Sequence, residues 1–143
     1  MSAFSVEFAG KAREIVTDIA FASALSENES QSAPVVCKAF WDTGANVSAI
    51  SPKVVSSLGL SSINRYEVYA PNGPYMASVY AVDVMLPNRM VVKGVAVTEA
   101  DLKDCDALIG MDIIALGDLM ISNRDNTRFT FRIPAEGDFN ASL

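Results

Sequence analysis

The stretch AFWDTGANVSAIS, which runs from Ala39 to Ser51, places a carboxylate directly after three apolar residues. A carboxylate at the end of an apolar strand is costly to bury unless it has partners or a purpose. Gly44 allows a sharp backbone turn that brings main-chain N–H groups close to Asp42, and Thr43 offers a hydroxyl that can fix the loop. The tripeptide would therefore hold Asp42 rigidly, although Asp, Thr and Gly are also common in ordinary turns.

The overall composition is that of a globular protein. Of the 143 residues, 50% are hydrophobic and 20% are charged, so we expect a single domain over residues 1–143 with its core between about 13 and 134. The formal net charge of −6 argues against nucleic acid as a partner, because phosphate binding requires a basic surface. We also expect no membrane association, because no apolar run is long enough to span a bilayer.

The residue types that are missing restrict the chemistry. The chain has no histidine, which excludes Ser-His-Asp and Cys-His catalysis and nearly all histidine-ligated metal sites. The acidic segment Thr98–Asp106 is better explained as a solvated loop, and we expect neither a metal nor a cofactor. Cys37 and Cys105 are too few for a disulfide framework. Reduced thiols and an N-terminus without secretory-signal features predict a cytoplasmic location.

Strand signals dominate the rest of the chain. The Ser51-Pro52 pair predicts a helix start, Val54, Val55 and Leu58 its apolar face, and Gly59 its end. A second short helix is expected after Gly110, with Asp112 in its first turn. Leu25–Ser32 is predicted to be an exposed loop, and Pro71–Pro74 a turn between two arms of a hairpin. The remaining predicted strands are Arg13–Ala22, Val35–Trp41, Tyr66–Ala70, Tyr75–Leu86, Val91–Val97, Ala107–Gly110, Met120–Ile121 and Arg128–Ile133.

A second motif follows Asp42 by about 65 residues. The segment Leu108–Ile114 reads LIGMDII. The order of motifs resembles that of the retroviral-type, or retropepsin-like, aspartic proteases. It consists of an apolar strand, DTGA followed by xxSxIS, a hairpin with a glycine near its tip, and then IGxD. The resemblance extends from about Val35 to Ile121, with both motifs in the family's order. It implies an all-β, closed-barrel-like acid protease fold with one or two short helices and an active site at a homodimer interface.

The resemblance also implies roles for individual residues. Asp42 would be the catalytic aspartate, Thr43 and Gly44 would support the active-site loop, and Ala45 and Asn46 would contact substrate. The hairpin tip would be a flap over the substrate, formed by Ala70, Pro71, Asn72, Gly73, Pro74 and Tyr75. Two positions differ from the retroviral pattern: Asn46 replaces the usual acid, and Met111 replaces the arginine of the Gly-Arg-Asp form.

One aspartate implies two chains. In aspartic protease chemistry one carboxylate activates a water molecule while a second, protonated carboxyl polarises the peptide carbonyl. The chain has a single DTG and is too short for two lobes, so the second Asp42 must come from a second copy. The sequence therefore predicts a homodimeric aspartic endopeptidase acting on peptides or proteins. The alternative is a catalytically silent module that keeps this fold for dimerisation or peptide binding.

Overall fold

The computed structural model describes residues 2–24 and 33–137, which contain ten β-strands and two short helices. The loop predicted for Leu25–Ser32 lies outside these residues. The elements are β1 Ser2–Glu7, β2 Val16–Ser23, β3 Val35–Trp41, β4 Ala49–Ile50, α1 Pro52–Leu58, β5 Asn64–Ala70, β6 Gly73–Met85, β7 Val91–Glu99, β8 Ala107–Ile109, α2 Met111–Ile114, β9 Asp118–Asn123 and β10 Thr127–Ile133. The mostly-β prediction is confirmed.

The larger sheet closes on itself. Its strand order is β2-β3-β8-β4-β7-β6-β5, and β6 also pairs with β2. The six strands from β2 through β3, β8, β4 and β7 to β6 therefore form a closed barrel, and β5 extends from it at an edge. Strand β3 runs parallel to β8, with Trp41 opposite Ile109. This pairing brings the end of β3 beside the end of β8, and the residues that follow each strand therefore lie close together.

A second, three-stranded sheet joins the two ends of the described chain. Its order is β1-β10-β9, with Phe4 opposite Phe131 and Phe129 opposite Ile121. Within this sheet Asp118 accepts a hydrogen bond from the backbone N–H of Glu136 and forms a 2.6 Å ion pair with Arg132. The N–H of Glu136, followed by the guanidinium of Arg132, lowers the pKa of Asp118 below its ordinary value.

Aromatic packing connects this sheet to the barrel. The ring centroid of Trp41 lies 4.9 Å from that of Phe129 and 5.1 Å from that of Phe131. Phe4 belongs to the same cluster. The indole N–H of Trp41 donates a 2.8 Å hydrogen bond to the Thr17 hydroxyl. A buried indole with its donor satisfied is well suited to a core position. The residue that precedes Asp42 is thus held firmly from both sheets.

The ends of α1 agree with the sequence prediction. Ser51 is the N-cap and accepts a hydrogen bond from Val54 N, Pro52 follows at the first helical position, and Gly59 ends the helix in the left-handed conformation at φ +61°. Val54, Val55 and Leu58 are its buried residues. The signals for this helix are local, so the sequence defined both of its ends.

The β5–β6 turn is tighter than predicted. The sequence indicated a turn over Pro71–Pro74, whereas the structure confines it to Pro71 and Asn72, with Ala70 paired to Gly73. Gly73 has φ +112°, a conformation that glycine adopts readily. Pro74 is tolerated within β6 because β7 pairs with β6 only from Val79 onward, which leaves that side of the strand as an edge.

The described residues include no helix that is both long and apolar enough to cross a bilayer. Both cysteines are free thiols. Cys37 is buried on β3, and this burial is the main cause that raises its pKa to about 12. Cys105 is partly buried, and desolvation likewise raises its pKa.

Candidate active site

Asp42 lies immediately after β3 and is half-buried. Its backbone N–H donates to the carbonyl of Ile109 at 2.9 Å, which continues the β3–β8 pairing by one residue. Its carboxylate oxygen Oδ1 accepts a 2.8 Å hydrogen bond from Gly44 N, and its carbonyl accepts one from Ala45 N at 3.2 Å. The loop therefore folds around the carboxylate and fixes its direction, as the sequence of Asp42, Thr43 and Gly44 suggested. Thr43 itself is exposed in the single chain.

A second carboxylate holds the other end of this loop. Asp112, in the first turn of α2, accepts hydrogen bonds from Ser48 N at 2.9 Å and from the Ser48 hydroxyl at 2.7 Å. The same hydroxyl accepts a 2.9 Å bond from Gly110 N, and Asp112 also accepts one from Ile113 N at 3.0 Å. Asp112 thus joins the loop to α2, in addition to its expected place at the helix start.

Gly110 is required where this loop meets β8. A Cβ atom at this position would lie 2.9 Å from the carbonyl oxygen of Ala45 and 3.0 Å from the carbonyl carbon of Val47. Both are backbone atoms, which cannot move aside as a flexible side chain can. In addition, Met111 N donates a 2.8 Å hydrogen bond to Ala45 O. The IGxD motif therefore supplies the surface on which the Asp42 loop rests.

A groove of about 590 Å³ opens beside the loop. One wall is the loop segment from Gly44 to Val47, the other is the β5 segment from Tyr66 to Tyr69, and Thr98 also lines the groove. Strand β5 is the edge strand of the larger sheet, so its outer backbone groups are available to an extended peptide. The groove thus lies between the Asp42 loop and an edge strand.

The structure brings together only part of the site proposed from the sequence. Asp42, Thr43, Gly44, Ala45 and Asn46 form one loop, and the last three line the groove. The hairpin-tip residues instead lie at the end of β5, in the turn and at the start of β6, and they do not line the groove in the single chain. These tip residues are Ala70, Pro71, Asn72, Gly73, Pro74 and Tyr75.

Four groups at the site were not foreseen from the sequence. Val47 and Thr98 line the groove, the Tyr66–Tyr69 arm forms its far wall, and Ser48 is the partner of Asp112. The one usable signal was the DTGAxxSxIS pattern, in which a serine stands at a fixed distance from Asp42. Its partner lies 64 residues away, a contact that only the parallel β3–β8 pairing reveals.

No three His, Cys, Asp or Glu side chains within residues 2–24 and 33–137 are grouped as a metal site would need. Glu67 lines the groove, and two further carboxylates nearby have hydrogen-bond partners. Asp112 binds Ser48, and Asp42 accepts the N–H of Gly44. The loop therefore presents a fixed carboxylate beside a groove of about 590 Å³.

Comparisons with known proteins agree with this geometry. The family model described as "gag-polyprotein putative aspartyl protease" matches residues 33–115. Among curated proteins, no sequence matches the chain significantly. Among solved structures, the chain is similar to a retropepsin-like aspartic protease from Rickettsia conorii, with a TM-score of 0.54 and 19% identity over 91% of this chain and 94% of the other.

A second similar structure is EIAV protease complexed with the inhibitor HBY-793, with a TM-score of 0.50 and 16% identity over 72% of this chain and 86% of the other. At such identities the two structures establish the fold alone, and the family model covers more than half of the chain. The chain therefore belongs to the gag-polyprotein aspartyl protease family and has the retropepsin-like fold.

Proposed function

We propose that the chain is a single aspartic protease domain that acts as a homodimeric endopeptidase, with one Asp42 from each copy forming the catalytic pair. The observation that carries this proposal is the fixed Asp42 beside a groove: its carboxylate accepts from Gly44 N, and its backbone N–H donates to the Ile109 carbonyl. Membership of the family supports it. The Asp42 loop of one chain contributes a single carboxylate to the pair, so the pair is complete only with a second copy.

The reaction follows from two carboxyls that share one proton. When two carboxyls lie close together, only one of them ionises readily. The ionised carboxylate can act as a base, and the protonated carboxyl can act as an acid. The ionised Asp42 takes a proton from water, and the water oxygen attacks the peptide carbonyl carbon. The protonated Asp42 of the second copy donates a hydrogen bond to the carbonyl oxygen, and a proton then passes to the departing amine. Activity should therefore be greatest below neutral pH.

The remaining predicted residues receive supporting roles under this proposal. Thr43, exposed in the single chain, would contact the second copy, and Gly44 would keep the loop open to substrate. Ala45 and Asn46 would contact the substrate backbone. The hairpin tip would close over the substrate as a flap when peptide is bound, through Ala70, Pro71, Asn72, Gly73, Pro74 and Tyr75. The free thiols of Cys37 and Cys105 suit a reducing compartment such as the cytoplasm.

The test measures association and cleavage on the same samples. Sedimentation of the wild-type chain should show a dimer, and a diverse peptide mixture should be cut at acid to neutral pH. Asp42→Asn and Asp42→Ala should abolish cutting, whereas Asp125→Asn, which changes an exposed carboxylate elsewhere, should not. A statine-type transition-state analogue should inhibit the wild type. A folded dimer that cuts nothing, and behaves like Asp42→Asn, would instead favour a silent dimerisation or peptide-binding module.

A further inference from the structure

The tip of the β5–β6 hairpin carries the one Asn-Gly pair of the sequence, Asn72-Gly73. Each of the other asparagines is followed by a residue that has a side chain. The backbone nitrogen of the next residue can attack the side-chain amide of an asparagine, and glycine crowds that nitrogen least because it has no Cβ. Asn72 is therefore the asparagine at which this attack meets the least steric resistance.

The structure leaves this tip open to water. The turn consists of Pro71 and Asn72, and Asn72 is exposed. Gly73 has φ +112°, and a Cβ atom built on it would meet no atom of a non-neighbouring residue within 4 Å. Neither the Asn72 amide nor the space around Gly73 is thus covered by other parts of the chain.

Hydrogen bonds distinguish Asn72 from most other asparagines. Within residues 2–24 and 33–137, no hydrogen bond involves the Asn72 side chain. Four other asparagines of this part of the chain each accept a hydrogen bond at Oδ1: Asn64 from Arg65 N, Asn88 from Met90 N, Asn123 from the Thr127 hydroxyl and Asn126 from Gly10 N.

Asn46 provides an internal comparison. Like Asn72, it makes no side-chain hydrogen bond within the described ranges. Val47 follows it, however, and a β-branched side chain crowds the backbone nitrogen that would attack. Asn72 alone among the described asparagines therefore combines an unbonded amide with a following glycine.

We propose that Asn72 is a site of spontaneous deamidation, at which the amide converts to aspartate and isoaspartate. The Gly73 nitrogen loses its proton to hydroxide or water and forms a bond to Asn72 Cγ, while the Cγ–Nδ2 bond breaks and ammonia leaves. Water then opens the resulting cyclic imide at either of its carbonyl groups. One water is consumed and one ammonia is released in total, and no oxidant, metal or further reactant takes part.

Both products change the hairpin tip. Each places a new negative charge in the turn. Opening at the backbone carbonyl gives isoaspartate, in which the main chain runs through the former side chain and gains one methylene. Because the length of the turn sets the register of a hairpin, this extra atom should weaken the pairing of Ala70 with Gly73 and then that of Val68 with Tyr75. The reaction depends on the hairpin and not on the proposed function.

The test ages the full chain at mildly alkaline pH and follows each asparagine by mass spectrometry of proteolytic peptides. Fragmentation locates the conversion, and an isoaspartate-specific methyltransferase detects that product. Asn72 should convert roughly ten-fold or more faster than Asn46, because Gly73 leaves the attacking nitrogen open whereas Val47 crowds it. Asn72→Gln should stop the reaction at this position, since glutamine would have to close a larger ring. The matched control Asn46→Gln should leave conversion of Asn72 unchanged.

A sample unfolded in urea separates the effect of the fold from that of the sequence. Asn72 should convert at a similar rate in the folded and the unfolded chain. Asn123, whose amide oxygen is held by Thr127, should convert faster in the unfolded chain. An Asn72 that keeps its amide in the folded chain while the unfolded chain converts would overturn the proposal, and so would equal conversion of Asn46 and Asn72.

Amide hydrogen exchange tests the consequence for the hairpin. Aged wild type should lose protection at Val68 and Tyr75 relative to fresh protein, whereas Asn72→Gln aged in the same way should keep it. Circular dichroism of both samples checks that the rest of the fold persists. Unchanged protection after full conversion to isoaspartate would refute the effect on register.

Discussion

Removing the Asp112 carboxylate should loosen the loop that carries Asp42. Asp112→Ala deletes the acceptor of two hydrogen bonds from Ser48, at 2.9 and 2.7 Å. Hydrogen bonds to a charged group contribute about 1.5–3 kcal/mol each. Because this site is partly buried and water replaces part of the interaction, we expect unfolding free energy to fall by about 3 kcal/mol. For a chain of this length the melting temperature should fall by roughly 10 °C.

Asp112→Asn should give an intermediate result. Its amide oxygen can still accept from Ser48 N. Its NH₂ group, however, cannot accept the hydrogen bond that the Ser48 hydroxyl donates to the carboxylate. The same hydroxyl already accepts from Gly110 N. We expect a loss of about 1–2 kcal/mol. Ser48→Ala removes the hydroxyl that donates to Asp112 and also accepts from Gly110 N, so it should cost at least as much as Asp112→Asn.

Amide hydrogen exchange over residues 42–48 distinguishes a local effect from a general one. The matched control is Asp83→Ala, which removes a buried carboxylate that accepts a 2.9 Å bond from Gly94 N on another part of the barrel. Asp112→Ala should lose protection at Asp42 and Ser48, whereas the control should not. If both variants lose protection equally at the loop, or neither does, Asp112 does not position it.

Three further outcomes follow from individual residues. Gly110→Ala should lower stability by about 2 kcal/mol or more, measured by urea unfolding, because its Cβ would lie 2.9 Å from the Ala45 carbonyl oxygen; wild-type stability would contradict this. In iodoacetamide at pH 8, Cys105 should react well before Cys37, whose burial raises its pKa to about 12; mass spectrometry of tryptic peptides shows the order. Asp118 has a lowered pKa, so its stabilisation is present above its unfolded pKa and is lost as pH falls through the folded one; Asp118→Asn should therefore unfold with less pH dependence below about pH 4.

Features with local signals could be predicted from the sequence. The caps of α1 at Ser51 and Gly59, the strand that ends at Trp41 and the turn near Pro71 all depend on residues next to one another. The family resemblance required only the order and spacing of two motifs. The same motifs placed Asp42 at a strand end, where the structure has it.

Features that depend on distant partners could not be predicted. Strand β1 has no strong pattern of its own, and its partner β10 lies more than a hundred residues along the chain. The Ser48–Asp112 contact likewise exists only because β3 and β8 pair in parallel. The groove wall at Tyr66–Tyr69 depends on the register of the β5–β6 hairpin, and that register shifts with the exact length of its turn.

The β1–β10 pairing has a consequence for how two copies would meet. Because β1 already pairs with β10 of its own chain, neither of these two strands must be exchanged with a partner to complete this sheet. Phe4 and Phe129 bury one another within one molecule. In the proposed dimer, folding and association would then be separate equilibria, unlike those of obligate dimers that have no stable folded monomer. Dilution of the proposed dimer would then abolish its proposed activity while each chain stays folded.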